Sequence, residues 1–292
     1  MAEDYSRRTG DRKDGRRLRT IQPVSRLTPY LLSGRQDASN LLTDRFEVTA
    51  ADRWIEDRRA NGYPDMSLTH LFLAAYVQTV ARKPGLNRFV AGRRIYARDS
   101  IDAVLPIRRA SASGGESMVK LRLTHGDTVY DIYRRLSSLT ERLRAGDTPN
   151  DLESLAKGLS SFPGFLIRPL IGFWRFLDYF GWLGRDILEA SPYHASIVFC
   201  DRSDSGMPPS FRHLTNRGTT PLSMTIGGRR EVIEPDDSGR PVLRRYVDAA
   251  IVMDDRTADG AYYNACFRQM HSYLDNLLLL EHAPEKINDD IL

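Results

Sequence analysis

The stretch I-V-M-D-D-R-T-A-D-G-A-Y-Y, residues 251–263, passes from an apolar run into a charged turn and then into a new periodic segment. The alternating run that precedes it, residues 242–253, is typical of a strand, and the segment after it follows a helical pattern through Leu280. The sequence therefore predicts a strand end that carries four charged residues, namely Asp254, Asp255, Arg256 and Asp259.

A helix cap is the simplest interpretation of this turn. Asp259 is placed to accept hydrogen bonds from the free backbone N–H groups at the helix start, and Gly260 relieves the turn. On these residues alone, a structural role for the turn is favoured over a chemical one.

The rest of the chain alternates between strand and helix patterns around this turn. Strands are predicted at 46–49, 86–90, 94–96, 101–107, 118–123, 195–200, 222–226 and 232–234, and a D-D-S-G turn at 236–239 predicts a hairpin into 242–253. Helices are predicted at 51–59, 67–82 and 128–144. We expect an α+β fold, with a two-layer mixed β-sheet and helices packed on one side.

Composition and charge favour one ordinary globular domain. The chain has 292 residues, 41% of them hydrophobic, and a net charge of +4, and no linker divides it. Seven of the first twenty residues are Arg or Lys, so we assign 1–20 to a basic, flexible tail, 21–285 to the domain and 286–292 to a second tail. Because the excess charge lies in a tail rather than on one face, no nucleic-acid partner is expected.

An apolar segment at 162–188 interrupts this pattern and is interpreted as a helical insertion. A membrane-surface helix and a buried or intersubunit helical pair both fit it. Its arginines are spread around the predicted cylinder rather than gathered on one face, which favours the protein interface over membrane contact.

Several common classes of site and of location are disfavoured. The nucleotide-binding glycine motifs, the zinc-protease motif and the serine-hydrolase motif are all missing from the sequence. Cys200 and Cys266 match no metal spacing, so no metal is expected. The charged N-terminus lacks a secretory signal, and the longest charge-free stretch, 66–81, is too short to cross a bilayer. We therefore expect a cytoplasmic protein with reduced cysteines.

Residues 254–260, D-D-R-T-A-D-G, resemble the D-H-R-x-x-D-G signature of the catalytic domain of 2-oxoacid dehydrogenase acyltransferases. Chloramphenicol acetyltransferase and the peptide-synthetase condensation domains share the related H-x-x-x-D-G form. Three upstream segments are also similar to that family, in the same order: P-G-L-N-R-F-V-A-G-R-R-I-Y-A-R-D-S-I at 84–101, A-S-I-V-F-C-D at 195–201 and T-P-L-S-M-T-I-G at 220–227.

The resemblance implies a homotrimer in which coenzyme A (CoA) and an acyl acceptor enter a channel between neighbouring subunits from opposite ends. In that family the motif histidine removes a proton from the attacking hydroxyl or thiol, and a Ser or Thr hydroxyl of the facing subunit stabilises the oxyanion. By position, Asp259, Gly260 and Arg256 match the structural part of the motif. Cys200 falls at the position of the hydroxyl donor, and Asp255 falls at that of the histidine.

This departure from the family pattern leaves three alternatives open. An exposed aspartate, with a pKa near 3.9, is a far weaker base than histidine, and it adds negative charge where the oxyanion forms. Burial can raise the pKa of Asp255 and make it a usable base, or His194 or His213 can reach the channel. In the third alternative the chemistry is lost and the trimer is kept as an assembly or binding scaffold.

The sequence therefore predicts a CoA-dependent acyltransferase-like protein with a non-standard site and an unidentified hydroxyl or thiol acceptor, or else a non-catalytic trimeric relative. Acyl-CoA is the expected substrate of the enzyme. Arg229 and Arg230, which follow two glycines, are candidates for binding its phosphates, although a solvated arginine pair also fits them.

Overall fold

A six-stranded mixed sheet forms the centre of the protein, in the order β2-β9-β8-β7-β5-β6, and a small sheet of order β1-β4-β3 lies beside it. The computed structural model describes residues 7–108, 116–144 and 163–290. The strands are β1 Gly15–Arg17, β2 Ser39–Glu47, β3 Arg88–Ala91, β4 Arg94–Arg98, β5 Ile101–Arg108, β6 Glu116–Leu123, β7 Ile197–Asp201, β8 Leu222–Pro235 and β9 Pro241–Asp254. Among the described strands, β7 pairs in parallel with β5 and β8, and the other pairings are antiparallel.

The helices cover this sheet and supply the rest of the core. They are α1 Pro23–Leu31, α2 Thr49–Ala60, α3 Leu68–Arg82, α4 Val129–Arg144, α5 Gly164–Phe180, α6 Arg185–Ala190 and α7 Gly260–Asp275, with 3-10 turns at Pro84–Asn87 and Leu277–Glu281. Helix α3 is apolar on nearly all sides and is the most deeply buried of them. The predicted α+β class, with a mixed sheet and packed helices, is confirmed.

The long hairpin of β8 and β9 brings the motif turn to one edge of the sheet. Its D-D-S-G turn forms as predicted, with Asp236 Oδ1 accepting hydrogen bonds from the backbone N–H of Ser238 and of Arg240 at 2.8 and 2.9 Å. The two strands predicted at 222–226 and 232–234 are one continuous strand with a register shift after Ile226. Gly228 fits this bulge because a Cβ there would lie 2.6 Å from the Cα of Gly206.

Both predicted tails contribute to the fold. Strand β1 pairs with β4, and the buried Arg12 forms ion pairs with Asp14 and Asp178 at 2.8 and 2.7 Å. At the other end of the chain, the carboxylate of Asp290 accepts hydrogen bonds from Arg88. Residues 7–20 thus differ from the flexible tail expected from their charge, because Arg12 is held in buried ion pairs. Residues 1–6 and 291–292 lie outside the described residues.

The apolar segment forms helix α5, which lies on the surface of the single chain. None of its 17 residues is buried, and Phe165, Phe173 and the following Trp182 are 75%, 55% and 62% exposed. Its end docks on the β3–β4 turn, where a Cβ on Gly92 would lie only 2.4 Å from the backbone oxygen of Tyr179. Among the described residues no helix combines the length and hydrophobicity that crossing a membrane requires.

A buried histidine caps α3 and makes the stability of the fold depend on pH. His70 Nδ1 accepts a hydrogen bond from the backbone N–H of Ser67 at 3.1 Å, which completes a capping box. Burial lowers the pKa of His70 to about 4, although the negative charges of Asp201 and Asp65 oppose the shift. Because the folded pKa is below the unfolded value near 6.5, the stabilisation is present above that value and is lost as pH falls towards 4.

We expect the wild-type protein to lose about 2 kcal/mol of stability to this group between pH 8 and pH 5. His70→Gln keeps the capping acceptor but does not titrate. In urea unfolding at the two pH values, the free energy of unfolding of this variant should therefore fall by about 2 kcal/mol less than that of the wild type. His213→Gln, at an exposed position, is the control and should leave the loss unchanged. An equal pH dependence in wild type and His70→Gln would contradict the assignment.

Candidate functional site

The motif turn links β9 to α7 through residues 255–259 and is fixed at both ends. The carboxylate of Asp259 accepts a hydrogen bond from the backbone N–H of Tyr262 at 2.7 Å and so caps α7. At the other end the backbone N–H of Asp254 donates to the carbonyl of Pro221 at 2.9 Å. Between them the hydroxyls of Thr257 and Tyr263 lie 2.6 Å apart, and both contact the backbone carbonyl of Asp254. The turn therefore has little freedom to move.

A buried ion pair holds the strand end in place. Arg256 donates through Nε and one terminal nitrogen to the two carboxylate oxygens of Asp254, at 2.8 and 2.7 Å, and both side chains are buried. The Nε of a second buried arginine, Arg35, lies 3.7 Å from the same carboxylate. Burial lowers the pKa of Arg35 to about 10, partly offset by the negative charge of Asp254. Two buried guanidinium groups therefore share one carboxylate.

Asp255 lies at the edge of this cluster with its carboxylate only half-buried. Its backbone N–H donates to the carbonyl of Ala38 at 3.0 Å, and the amide of Asn40 lies 3.3–3.4 Å from its carboxylate oxygens. Burial raises the pKa of Asp255, and the adjacent Asp254 raises it further, while the hydrogen bond from Asn40 opposes both. The structure thus supplies an accessible carboxylate that is a stronger base than an ordinary aspartate.

Cys200 lies elsewhere on the sheet of the same chain. It is buried in β7 opposite Thr225 of β8, whereas Asp254 bonds to Pro221, four residues away along β8. That spacing corresponds to about 13 Å along the strand direction. One chain does not bring the two side chains together, so they could meet only across two copies of the chain.

The two candidate histidines are also apart from Asp255. His194 is buried, with Nδ1 2.8 Å from the Ser191 hydroxyl and Nε2 3.3 Å from Asp178 Oδ1. Burial lowers the pKa of His194, although Asp178 opposes the shift, and the ring belongs to the ion-pair cluster of the N-terminal segment. His213 is exposed and contacts neither Asp255 nor Cys200 within the described residues.

The two arginines proposed for phosphate binding already have carboxylate partners. Arg229 Nε lies 3.0 Å from Asp52, and a terminal nitrogen of Arg230 lies 2.7 Å from Asp248. Arg230 pairs with Tyr246 of β9, eight residues before Asp254, which is about 26 Å along the strand. Within one chain neither arginine is near Asp255.

A cleft that the sequence did not reveal lies next to the motif turn. It has a volume of about 630 Å³ and is lined by the α1–β2 loop at 33–37, the β3–β4 turn at 90–93, the 172–179 part of α5, the loop at 216–218 and Arg256. Asp255 is not a lining residue of this cleft, but its neighbour Arg256 is, and its backbone N–H donates to the carbonyl of Ala38, which follows the lining residue Asp37. We call this site the arginine cleft, because five of its lining residues are arginines.

Sequence reasoning identified the turn but missed its partners. Arg35 and Asn40 are more than 200 residues from the motif in the chain, and no local pattern marks either of them. The pairing of β2 with β9, in which Ser39 is opposite Asp254, brings them together. Among the described residues no group of three or more His, Cys, Asp or Glu is arranged to hold a metal ion.

Comparison with known proteins gives a fold match but no sequence match. No protein-family model and no curated protein matches the chain. A probable dihydrolipoamide acetyltransferase from Listeria monocytogenes superimposes with a TM-score of 0.59 at 13% identity, over 89% of this chain and 94% of that one. Chloramphenicol acetyltransferase gives 0.52 at 11% identity, over 88% of this chain and 99% of that one.

A third similar structure is the dihydrolipoamide acetyltransferase of Azotobacter vinelandii, with a TM-score of 0.58 at 12% identity over 88% of each chain. A serine, a histidine and an asparagine have been investigated for roles in the catalytic mechanism of that enzyme. Its histidine and asparagine are four positions apart, which is also the spacing of Asp255 and Asp259 here.

The buried ion pair leads to a prediction about stability. Asp254→Asn leaves Arg35 and Arg256 without their shared carboxylate, so we expect urea unfolding to show a loss of about 3–5 kcal/mol. Asp255→Asn changes the neighbouring, half-buried carboxylate in the same way and should cost less than about 1 kcal/mol. Similar losses in the two variants would contradict a structural role specific to Asp254.

The small edge sheet, the six-stranded mixed sheet and the strand-end turn thus form one known architecture. The chain has the fold of the 2-oxoacid dehydrogenase acyltransferase catalytic domain and of chloramphenicol acetyltransferase.

Proposed function

We propose that the protein is a CoA-dependent acyltransferase in which the carboxylate of Asp255 is the general base. The observation that carries this proposal is the placement of Asp255, which is half-buried, has a raised pKa and lies on a turn fixed by the Asp254–Arg256 pair, next in the chain to Arg256, which lines the cleft. The fold neighbours are acyltransferases. The sequence resemblance implies that the motif turn keeps Arg256, Asp259 and Gly260 and carries Asp255 in place of the histidine.

The reaction balances with Asp255 as the only proton carrier. Its carboxylate removes the proton from the acceptor hydroxyl or thiol as the oxygen or sulfur attacks the thioester carbonyl of acyl-CoA. The tetrahedral intermediate then collapses, the carbon–sulfur bond breaks, and the carboxylic acid of Asp255 returns the proton to the CoA thiolate. The products are free CoA and the acylated acceptor.

Because the proton has moved to Asp255 by the time the tetrahedral intermediate forms, the carboxylate does not repel the oxyanion. Asp255 is negative only before proton transfer, and it is neutral while the oxyanion exists. The nearby positive charges of Arg35 and Arg256 are fixed, so they favour the negative charge of the intermediate at no cost of reorganisation. The raised pKa of Asp255 also brings it closer to the value at which a general base works efficiently.

A homotrimer completes the proposed site. Because the Cys200 position of one chain is far from Asp255 of the same chain, a donor to the oxyanion has to come from a neighbouring copy. The cubic core of a pyruvate dehydrogenase complex is among the structures with this fold, which supports assembly into larger particles.

Calorimetry with CoA and acetyl-CoA, together with light scattering for the oligomeric state, tests this proposal. We expect binding to a trimer, and hydrolysis or transfer of the acetyl group to small thiols and alcohols. Asp255→Asn should retain CoA binding and lower turnover by about 100- to 10,000-fold. Absence of CoA binding at millimolar concentration would refute the proposal.

A trimeric scaffold without catalysis is the second candidate, and the exposed apolar face of α5 favours it. That face offers aromatic side chains such as Phe165 and Phe173 for assembly. Asp255→His distinguishes the two functions: turnover that appears only in this variant identifies the natural protein as a scaffold with a disabled site. Turnover in the wild type that falls in Asp255→Asn supports the enzyme.

The hydrogen bond from Asn40 predicts the pH dependence of the enzyme. The base is active when ionised, so activity should be present above the pKa of Asp255 and fall as pH drops through it. Asn40→Ala removes a donor that favours the charged form, so the acid limb of kcat/KM should move to higher pH.

The control for this shift is Asn61→Ala, which removes an amide bonded to the carboxylate of Asp57 away from the site. It should leave the acid limb in place. An unchanged acid limb in Asn40→Ala would show that Asp255 is not the titrating base.

A further inference from the structure

The arginine cleft carries more positive charge than its own residues neutralise. Two of its five arginines, Arg35 and Arg256, share the carboxylate of Asp254, which does not line the cleft. The other lining arginines are Arg93, Arg175 and Arg217, and the lining aspartates are Asp37 and Asp178. Asp178 does not neutralise an arginine of the cleft, because it forms an ion pair with Arg12 at 2.7 Å. Arg12 and the adjacent His194 hold the pKa of Asp178 well below its usual range, despite its burial. Asp37, which accepts a hydrogen bond from Ser33 at 2.9 Å, is the remaining lining carboxylate.

At the floor of the cleft a buried guanidinium has an unused donor. Arg35 donates from its two terminal nitrogens to the carbonyls of Thr215 and Val90, at 3.2 and 3.1 Å. Its Nε is buried and has no hydrogen-bond partner, and the carboxylate of Asp254 nearby is already bonded on both oxygens by Arg256. The Nε of Arg35 lies 3.7 Å from that shared carboxylate, so Asp254 balances the two guanidinium charges only in part.

At the rim two further arginines are free to meet an anion. Arg175 of α5 and Arg217 are exposed, and neither forms an ion pair with any residue in the described parts of the chain. Across the cleft Arg93 follows Gly92 in the two-residue turn between β3 and β4, and its guanidinium lies 5.7 Å from the ring of Tyr30. Three exposed arginines therefore line the cleft.

Aromatic side chains of α5 also line the arginine cleft. Phe176 and Tyr179 lie one and four residues after Arg175 on the same helix, line the same cleft, and are half exposed. An aromatic wall beside several guanidinium groups suits a ligand with a planar ring and several phosphate oxygens, because rings stack and arginine binds phosphate in a bidentate manner. The volume of about 630 Å³ is within the range of small-molecule sites.

We infer that the arginine cleft binds a phosphorylated nucleotide group, with Arg35 at its floor, Arg175 and Arg217 at its rim and Phe176 or Tyr179 against the base. Two sources supply that chemistry. One is the nucleotide end of acyl-CoA, in which case the inference rests on the proposed acyl transfer and its thioester reaches towards Asp255. The other is a free nucleotide, which would bind whether or not the protein transfers acyl groups.

Calorimetry with four probes separates the sources: CoA, ADP, pantetheine without phosphates, and inorganic phosphate. We expect ADP and CoA to bind in competition, pantetheine and inorganic phosphate to bind at least tenfold more weakly, and affinity to fall as salt rises. If CoA binds more tightly than ADP, the nucleotide group belongs to acyl-CoA. If ADP binds and CoA does not, the ligand is a free nucleotide. Absence of binding by both would overturn the inference.

Variants at the rim test the position of the site. Arg175→Ala and Arg217→Ala change exposed side chains without a structural partner, so the fold should be kept and nucleotide affinity should fall at least tenfold in each. Arg53→Ala, an exposed arginine of α2 outside the cleft, is the matched control and should bind as the wild type does. Wild-type affinity in both rim variants would overturn the assignment.

The same variants keep this inference distinct from the proposed function. Loss of nucleotide binding in the rim variants, with no Asp255-dependent turnover in the wild type, supports the cleft and refutes acyl transfer. Asp255-dependent turnover with unchanged CoA affinity in the rim variants supports acyl transfer and refutes the cleft.

Discussion

The bidentate ion pair between Asp254 and Arg256 at the end of β9 determines the arrangement of the site. In a buried position neither charge can be left without its partner, so the turn after the strand has only one favourable course. The same carboxylate attracts Arg35 from the loop before β2, and so joins two segments that are distant in the chain. This cluster fixes the turn on which Asp255 lies half-buried, and Arg256 forms part of the cleft wall.

The chemistry we propose depends on the difference between two neighbouring carboxylates. Asp254 is fully buried and paired with arginine, so it serves the structure. Asp255 is half-buried and has only a long amide contact, and burial together with the adjacent negative charge raises its pKa. The two roles follow from environment, because the side chains are chemically identical. In our proposal the arginines of the cleft bind an anionic ligand, and the charges of Arg35 and Arg256 stabilise the developing oxyanion.

Much of the fold was predictable because local patterns and tertiary packing agree. The alternation of β9, the D-D-S-G turn and the apolar helix α3 each specify the element that the structure contains. The sequence-based predictions failed for segments whose structure depends on contacts with residues far along the chain. Strand β1 and the buried Arg12 lie in a stretch whose charge suggested a tail, and helix α1 carries no strong signal; both are stabilised by contacts with residues far along the chain.

The sequence by itself determined the class of fold, the strand-to-helix turn and the presence of an aspartate where related motifs carry histidine, because each of these is encoded by residues close together in the chain. Only the tertiary structure decided which charges are satisfied. It paired Arg229 and Arg230 with carboxylates, enclosed His194 among ion pairs, and gathered Arg35, Arg175 and Arg217 around one cleft. Ion pairing and burial depend on distances in space between segments remote in sequence, and local patterns do not contain those distances.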